Sequence, residues 1–151
     1  MNTIAIFPGS FDPFTIGHED IAQRALAIAD RLVIAVGVNE HKQYTQSTEE
    51  RVNAIATLFA DNPRVEVVAY SDLTIELAKR VGAQFVVKGV RSVKDFEYER
   101  EQADINRLVS GLETIILFAK PELACVSSTM VRELAHFGQD TTPFLPKQKQ
   151  E

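Results

Sequence analysis

Apolar residues along this chain fall into two alternating patterns. Short runs of β-branched and aliphatic side chains are typical of buried strands, and they occur at Thr3–Phe7, Leu32–Val38, Val65–Ala69, Phe85–Val87 and Thr114–Phe118. Apolar residues at helical spacing follow each run and predict helices at Gly17–Ala29, Ser47–Ala60, Asp72–Val81, Val93–Leu108 and Ser127–Phe137. Strands that alternate with helices favour right-handed crossovers. We therefore predict an α/β fold, a doubly wound five-stranded parallel sheet with helices on both faces.

Local sequence signals refine the predicted helix and domain boundaries. Ser47 and Glu50 have the spacing of a capping box, which predicts a helix start at Ser47. Asp72 is expected to cap the third helix. Because no shift in composition marks a second domain, we interpret residues 1–151 as one Rossmann-like domain that ends in a frayed polar tail at about 147–151.

Composition and charge exclude several classes of protein. The chain has 151 residues, with 21 acidic and 16 basic side chains, and a net charge of −5. Its apolar fraction of 45% argues against long disorder, and its acidity argues against a nucleic-acid partner. A single cysteine excludes internal disulfides, and Cys125 is expected to be a small core residue. No bilayer-spanning run or signal-peptide pattern is present, which predicts a cytoplasmic protein with no membrane partner.

Candidate chemistry lies in the loops after the strands, because ligands of such sheets bind at the carboxyl ends of the strands. The first loop, residues 8–18 (Pro-Gly-Ser-Phe-Asp-Pro-Phe-Thr-Ile-Gly-His), leads into the first helix. Gly9 and Gly17 would let a ligand approach the backbone, and His18 would face an anion from the first helical turn. A glycine-rich connector with an exposed histidine is the alternative, and the loop as a whole favours the anion site.

Three other loops carry weaker signals. Residues 127–129 (Ser-Ser-Thr) place hydroxyl groups at a helix start, which fits either a phosphate cradle or ordinary capping. Residues 88–91 (Lys-Gly-Val-Arg) fit either a phosphate site or a solvated surface, and Lys42 by itself indicates little. The sequence contains no Cys and His cluster at zinc spacing, no G-x-S-x-G elbow and no G-x-G-x-x-G fingerprint.

Two separated motifs together resemble those of a known superfamily. Thr15-Ile-Gly-His18 matches the T/H-x-G-H signature of nucleotidyltransferases, and residues 126–132 (Val-Ser-Ser-Thr-Met-Val-Arg) resemble their I-S-S-T-x-x-R signature. Within that superfamily the chain resembles the phosphopantetheine adenylyltransferase family, on stretches at residues 8–13, 48–51, 71–73, 89–91, 95–99 and 144–146. The resemblance implies transfer of the adenylyl group of ATP to 4′-phosphopantetheine. The products would be dephospho-coenzyme A and pyrophosphate, in the penultimate step of coenzyme A synthesis.

The resemblance also implies roles for individual residues. The catalytic residues would be His18, which would stabilise the transition state, Lys42 and Arg91. The acceptor substrate would contact Ser10, Lys42, Thr74 and Lys88. ATP would be surrounded by Ser10, Phe11, His18, Gly89, Val90, Arg91, Glu99, Leu123, Ala124, Cys125, Val126, Ser127, Ser128 and Thr129. Many family members have threonine at position 10 and arginine at position 88. Lys88 keeps the charge of that arginine but lacks its bidentate geometry.

The same resemblance implies Mg²⁺ bound through the phosphates of ATP with no protein ligand, a homohexamer, and coenzyme A as a feedback inhibitor. An attacking phosphate is already ionised and needs no general base, so positioning and charge stabilisation should supply most of the rate. Arg132 is expected to contact the transition state. Two alternatives stay open: another small nucleotidyltransferase, such as a nicotinamide mononucleotide adenylyltransferase or a cytidylyltransferase, and a nucleotide sensor without catalysis. The basic groups are expected to converge at the carboxyl edge of the sheet.

Overall fold

The computed structural model describes residues 2–148, which form one five-stranded parallel sheet with helices on both faces, as predicted. The strands are β1 (Ile4–Gly9), β2 (Arg31–Gly37), β3 (Val65–Tyr70), β4 (Phe85–Val90) and β5 (Glu113–Phe118). The helices are α1 (Ile16–Ala25), α2 (Thr48–Leu58), α3 (Thr74–Val81), α4 (Val93–Ser110) and α5 (Ser128–His136). Short 3₁₀ turns lie at Pro121–Leu123 and Thr142–Phe144. Residues 149–151 of the expected tail lie outside the described residues.

The strand order places a crevice beside β1. The order is β3-β2-β1-β4-β5, and β1 pairs in parallel with both β2 and β4. The chain moves outward from β1 to β3 and then crosses back to β4, so the direction of winding reverses at β1. In sheets of this kind ligands bind outside the carboxyl ends of the strands at that reversal.

Both faces of the sheet are covered by apolar side chains from the helices. On one face, Val87 of β4 joins a cluster that includes Ile21 of α1 and Ile55 of α2. On the other face, Val86 joins a cluster that includes Ile75 of α3. Neighbouring residues of a strand point to opposite faces, so cover on both faces accounts for the nearly continuous apolar runs in the sequence.

Helix starts follow the expected capping chemistry in one case and depart from it in another. At α2, the Ser47 hydroxyl accepts a hydrogen bond from the backbone N–H of Glu50 at 3.1 Å, and the capping box is confirmed. The prediction that Asp72 caps α3 is wrong, because the N-cap is Leu73. The guanidinium of Arg80 donates two hydrogen bonds to the Asp72 carboxylate instead. Both carboxylate oxygens of Asp72 are therefore engaged by the guanidinium of Arg80.

Strand β4 is longer than the apolar run predicted. It continues through Lys88 and Gly89, which pair with Ile116 and Leu117 of β5. Lys88 and Gly89 interrupt the apolar pattern without ending the backbone pairing. Candidate residues 88–90 therefore lie in a strand and not in the loop after it.

No helix within residues 2–148 is both long and apolar enough to cross a membrane.

Gly89 packs directly against α1, which generates a test of the fold. A Cβ atom at position 89 would lie 2.8 Å from Cγ1 and 3.0 Å from Cδ1 of Ile21, a residue that is 5% exposed. We predict that Gly89→Ala lowers the free energy of unfolding by about 1–3 kcal/mol through overpacking, as measured by chemical denaturation. Ile21→Ala removes both clashing atoms, so the double variant should lose less than the sum of the single losses. Additive losses would contradict the packing argument.

Candidate active site

Two adjoining clefts open at the carboxyl edge of the sheet. The large cleft, about 820 Å³, lies between the end of β1, the loop after β2, the start of α3 and helix α4. The small cleft, about 280 Å³, lies between β4, α1 and the start of α5. Pro8, Gly9, Lys88 and Glu99 line both clefts, so the two spaces share a wall at the ends of β1 and β4.

A capping box at the start of α1 fixes the imidazole of His18 in the small cleft. The backbone N–H of Thr15 donates to Nδ1 of His18 at 2.9 Å, while the Thr15 hydroxyl accepts from the His18 backbone N–H at 3.4 Å. Because Nδ1 accepts a hydrogen bond, the neutral ring carries its proton on Nε2. The helix start therefore presents one N–H donor from an oriented side chain.

Aromatic packing keeps His18 uncharged. Its ring centroid lies 5.1 Å from that of Phe11, 5.4 Å from that of Phe14 and 6.4 Å from that of Phe7. Burial, together with the positive charges of Lys88 and Arg91, lowers the pKa of His18 to about 4. At neutral pH the side chain is thus a neutral hydrogen-bond donor.

The loop between β1 and α1, residues 10–15, has a backbone path set by its own aromatic packing. Phe11 has a φ of 50° and is 3% exposed, a conformation that is uncommon outside glycine. A Cβ atom at Gly9 would lie 2.8 Å from the Phe11 ring. The Phe11 ring therefore occupies the space that a side chain at position 9 would need.

The second motif fastens this loop from α5. Arg132 donates to the Asp12 carbonyl at 2.7 Å, and the Ser128 hydroxyl donates to the Pro13 carbonyl at 2.7 Å. Ser127 caps α5 by accepting from the Met130 N–H at 3.0 Å. Arg132, expected to contact the transition state, is not among the described residues that line either cleft. Its guanidinium binds the backbone of the loop instead.

The large cleft contains every residue expected to contact the acceptor. Ser10, Lys42, Thr74 and Lys88 all line it. The ammonium of Lys42 donates to the Ser10 hydroxyl at 3.2 Å. Lys88 reaches the carboxylate of Glu99 at 3.4 Å and the carbonyl of Pro8 at 3.4 Å.

A pair of hydroxyl groups lines the large cleft at the start of α3. The oxygens of Tyr70 and Thr74 lie 3.1 Å apart. Burial raises the pKa of Tyr70, so the phenol remains protonated and can donate a hydrogen bond at neutral pH.

The small cleft contains most of the residues expected around ATP. They are Phe11, His18, Gly89, Arg91, Glu99, Leu123, Val126, Ser127, Ser128 and Thr129. Ser10 lines the large cleft instead. The structure does not bring Val90, Ala124 or Cys125 to the wall of either cleft. Val90 is buried at 3% exposure.

The expectation that Cys125 is a core residue is wrong, because its side chain is exposed. Its neighbour Val126 is 4% exposed and takes the core position in this segment. The apolar run Leu-Ala-Cys-Val suggested a continuous buried stretch. In the structure a 3₁₀ turn at Pro121–Leu123 redirects the chain, so adjacent residues face different environments.

Side chains of both charges line the two clefts, with Glu40, Asp72 and Glu99 on the acidic side. Lys42, Lys88 and Arg91 line one cleft or the other, beside the start of α1. Arg91 is paired with Asp95, its Nε lying 3.4 Å from Oδ2. Among residues 2–148 no group of three or more His, Cys, Asp and Glu side chains is arranged to hold a metal ion.

Sequence reasoning missed three residues that shape the site. Asp12 is 2% exposed, and its carboxylate accepts from the backbone N–H groups of Thr45 and Gln46 at 2.8 and 2.9 Å. Arg51 and Tyr44 stack against each other beneath the same loops. Only the position of Arg51 in an amphipathic helix could have drawn attention to it, because a charged residue there interrupts an otherwise apolar stripe.

Comparisons with known proteins agree with these observations. A family model described as Cytidylyltransferase-like matches residues 6–134. A phosphopantetheine adenylyltransferase of Phocaeicola vulgatus is 58% identical over 143 residues, which is 95% of each chain. Another, of Bacteroides thetaiotaomicron, is 53% identical over 95% of each chain.

Among solved structures, a bifunctional NMN adenylyltransferase/ADP ribose pyrophosphatase of Francisella tularensis, complexed with AMP and a manganese ion, has the same fold. It superposes with a TM-score of 0.72 over 99% of this chain and 46% of its own, at 16% identity. At that identity the likeness concerns the fold alone.

The buried neutral histidine generates a prediction on stability. Above pH 6.5, the ordinary pKa of histidine, His18 is neutral in both the folded and the unfolded chain. Between that pH and about 4, the unfolded chain takes up a proton that the folded chain does not. Stability should therefore fall as pH falls through this range, by up to about 3 kcal/mol in total.

Chemical denaturation between pH 4 and 8 measures this slope. His18→Gln replaces the titrating ring with an amide that stays uncharged over this pH range. The variant should lose less stability than the wild type over the same pH range. Parallel pH profiles for the two proteins would show that His18 is not the group responsible.

Proposed function

Because this chain belongs to the phosphopantetheine adenylyltransferase family, within the cytidylyltransferase-like proteins, we propose that it transfers the adenylyl group of ATP to 4′-phosphopantetheine. The products are dephospho-coenzyme A and pyrophosphate. The identity of 58% over 95% of both chains carries this conclusion. The paired clefts agree with it, because a transfer between two phosphorylated substrates needs two sites that meet at one point.

The adenylyl donor is assigned to the small cleft. The start of α5 and the guanidinium of Arg91 offer donors to phosphate oxygens, and both line this cleft. His18 lies at the same wall. Its Nε2–H would donate to a non-bridging oxygen of the α-phosphate, where negative charge increases as the reaction proceeds.

The acceptor is assigned to the large cleft, with its phosphate at the shared wall. Lys42 and Lys88 supply positive charge there, and the Ser10 hydroxyl lies within hydrogen-bonding distance of Lys42. The pantetheine arm carries amide groups that need donors and acceptors along its length. Thr74 and Tyr70 offer hydroxyl groups farther along the cleft.

The chemical step is an in-line displacement at the α-phosphorus. An oxygen of the acceptor phosphate forms the new P–O bond. The bond to the bridging oxygen of the β-phosphate breaks, and its electron pair leaves with pyrophosphate. The nucleophile is already ionised, so the site needs no base, and a neutral His18 fits this requirement because it stabilises charge without taking a proton.

A magnesium requirement forms part of the proposal. Mg²⁺ prefers hard oxygen ligands and phosphate oxygens in particular. Among the described residues of the small cleft, Glu99 is the one acidic side chain, and its carboxylate is paired with Lys88. The ion would therefore be held by the phosphates of ATP, where it neutralises charge on the leaving group.

Assembly and regulation are also part of the proposal. Helix α4 exposes apolar side chains that a partner subunit would cover, among them Val93, Ile105, Leu108 and Val109 at 57–79% exposure. We assign this helix to a subunit contact in a homohexamer. Coenzyme A contains the pantetheine arm of the acceptor, so it would compete for the large cleft as a feedback inhibitor of a cytoplasmic pathway enzyme.

Substrate choice tests the proposal against the other small nucleotidyltransferases. Purified protein is assayed for pyrophosphate release from ATP or CTP with 4′-phosphopantetheine, nicotinamide mononucleotide or glycerol phosphate. We expect release with ATP and 4′-phosphopantetheine and none with the other pairs. Release with nicotinamide mononucleotide would move the assignment to that class, and no release with any pair would indicate a sensor.

Substitution at His18 tests the mechanism. His18→Ala removes the side-chain donor that the first turn of α1 presents to the small cleft, and we expect kcat to fall by roughly 10²–10³. His18→Gln carries an amide N–H near the former Nε2 and should retain more activity than alanine does. Near-normal turnover in His18→Ala would remove this residue from the mechanism.

A further inference from the structure

Arg51 is a buried cation that touches neither cleft. It lies in the first turns of α2 and is 1% exposed. One guanidinium nitrogen, Nη1, donates to the carbonyl of Ser10 at 2.7 Å and to the carbonyl of Gly37 at 3.1 Å. The other, Nη2, donates to the Thr48 hydroxyl at 3.3 Å. Arg51 therefore ties the loop after β1 to the end of β2.

The surroundings of this guanidinium are unusual for a charged group. Within residues 2–148, its three hydrogen bonds all go to neutral oxygens, and its buried Nε has no hydrogen-bond partner there. The Tyr44 ring centroid lies 3.8 Å from the guanidinium carbon, so the ring stacks on its face. Burial of a cation without a carboxylate costs free energy. The position needs an explanation other than stability.

The same contacts lead to Ser10 and Lys42, two of the three groups assigned to the acceptor phosphate. Arg51 holds the backbone carbonyl of Ser10, and the Ser10 hydroxyl accepts from Lys42. Tyr44 holds the loop of Lys42, because its hydroxyl accepts from the backbone N–H of Asn39, and the Asn39 carbonyl accepts from the Lys42 N–H at 3.0 Å. The ammonium of Lys42 also lies 5.4 Å from the centroid of the Tyr44 ring.

We infer that Arg51, through its stacked partner Tyr44, is a positioning residue for the acceptor phosphate. The guanidinium fixes the Ser10 backbone, and the tyrosine fixes the loop that carries Lys42. Ser10 and Lys42, two of the three groups assigned to the phosphate, are thereby held at one separation before substrate binds. This inference rests on the proposed function, since it concerns the acceptor of that reaction.

Steady-state kinetics on the full chain test the inference. The variants are Arg51→Met, Arg51→Lys and Tyr44→Leu, each assayed with ATP and 4′-phosphopantetheine, each substrate being varied in turn. We expect kcat/KM for the acceptor to fall by about 10²-fold in Arg51→Met, the size of effect that a misplacement of about 1 Å produces. The KM for ATP should stay close to that of the wild type. Arg51→Lys keeps the charge but reaches one carbonyl, so it should rescue only part of the loss.

Arg64, an exposed arginine at the other end of the sheet, provides a control for the loss of hydrogen bonds from a guanidinium to backbone carbonyls. Its guanidinium also binds backbone carbonyls, those of Leu26, Ala29 and Asp30, and it lines neither cleft. Arg64→Met should lower the unfolding temperature and leave both KM values unchanged. If Arg51→Met behaves in the same way, the role of Arg51 is structural and the inference is wrong.

Coupling to Lys42 separates positioning from a general loss of activity. In the Lys42→Ala background, Tyr44→Leu should add little to the loss in kcat/KM, because the group that Tyr44 positions is gone. Losses that multiply would overturn the inference. Tyr44 is half-buried and its replacement leaves the hydrogen bonds of Arg51 in place. Should Arg51→Met fail to fold, unchanged acceptor kinetics in Tyr44→Leu would equally overturn it.

The wild-type assay keeps this test distinct from that of the proposed function. A wild-type enzyme that does not use 4′-phosphopantetheine contradicts the proposed function. An active wild type whose Arg51 and Tyr44 variants keep their acceptor kinetics contradicts the inference alone.

Discussion

Hydrogen bonds from β2 on one side and β4 on the other hold β1 at the centre of the sheet. Ala5 and Ile6 in this strand are 0% exposed, so the strand has no freedom to shift toward either face. Its carboxyl end therefore opens at one fixed point, between the two clefts. Every group assigned to the reaction is placed relative to that point, including those on α1 and α4.

The loop that leaves β1 is held largely through its own backbone. Side chains from two helices bind three of its carbonyls: Arg51 of α2 binds Ser10, while Arg132 and Ser128 of α5 bind Asp12 and Pro13. Carbonyl oxygens are present whatever the side chain, so the loop keeps Ser10, Phe11 and Thr15 available for other contacts. Residues of the second motif thus shape the first motif as well as lining the nucleotide cleft.

The sequence predicts those parts of the molecule that depend on local patterns. Strand and helix positions follow from apolar periodicity, and the Ser47 capping box follows from spacing. Patterns of this kind do not show which polar groups meet in space. Asp72 binds Arg80 and leaves α3 without a side-chain cap. Cys125 is exposed because a turn redirects the chain.

The same limit applies to the prediction of the candidate site. Motifs identified the residues that line the clefts, because the chemistry of a phosphate site restricts residue types. The residues that hold these positions were not identified, because Arg51 and Asp12 act through long-range contacts with backbone groups. Tyr44, which lines the large cleft, stacks on the Arg51 side chain. A resemblance assigns roles to the positions within a motif. It does not identify the side chains that hold those positions in place. Tertiary contacts alone reveal them.

Strand β4 turns Lys88 and Gly89 toward opposite faces of the sheet. Lys88 reaches Glu99 of α4 on one side, and Gly89 lies against Ile21 of α1 on the other. Displacement at phosphorus inverts its configuration when the incoming and departing oxygens occupy opposite apices. The two clefts adjoin at the ends of β1 and β4, so an acceptor in one and a nucleotide in the other would meet at the α-phosphorus from opposite sides, and the proposed transfer would invert its configuration.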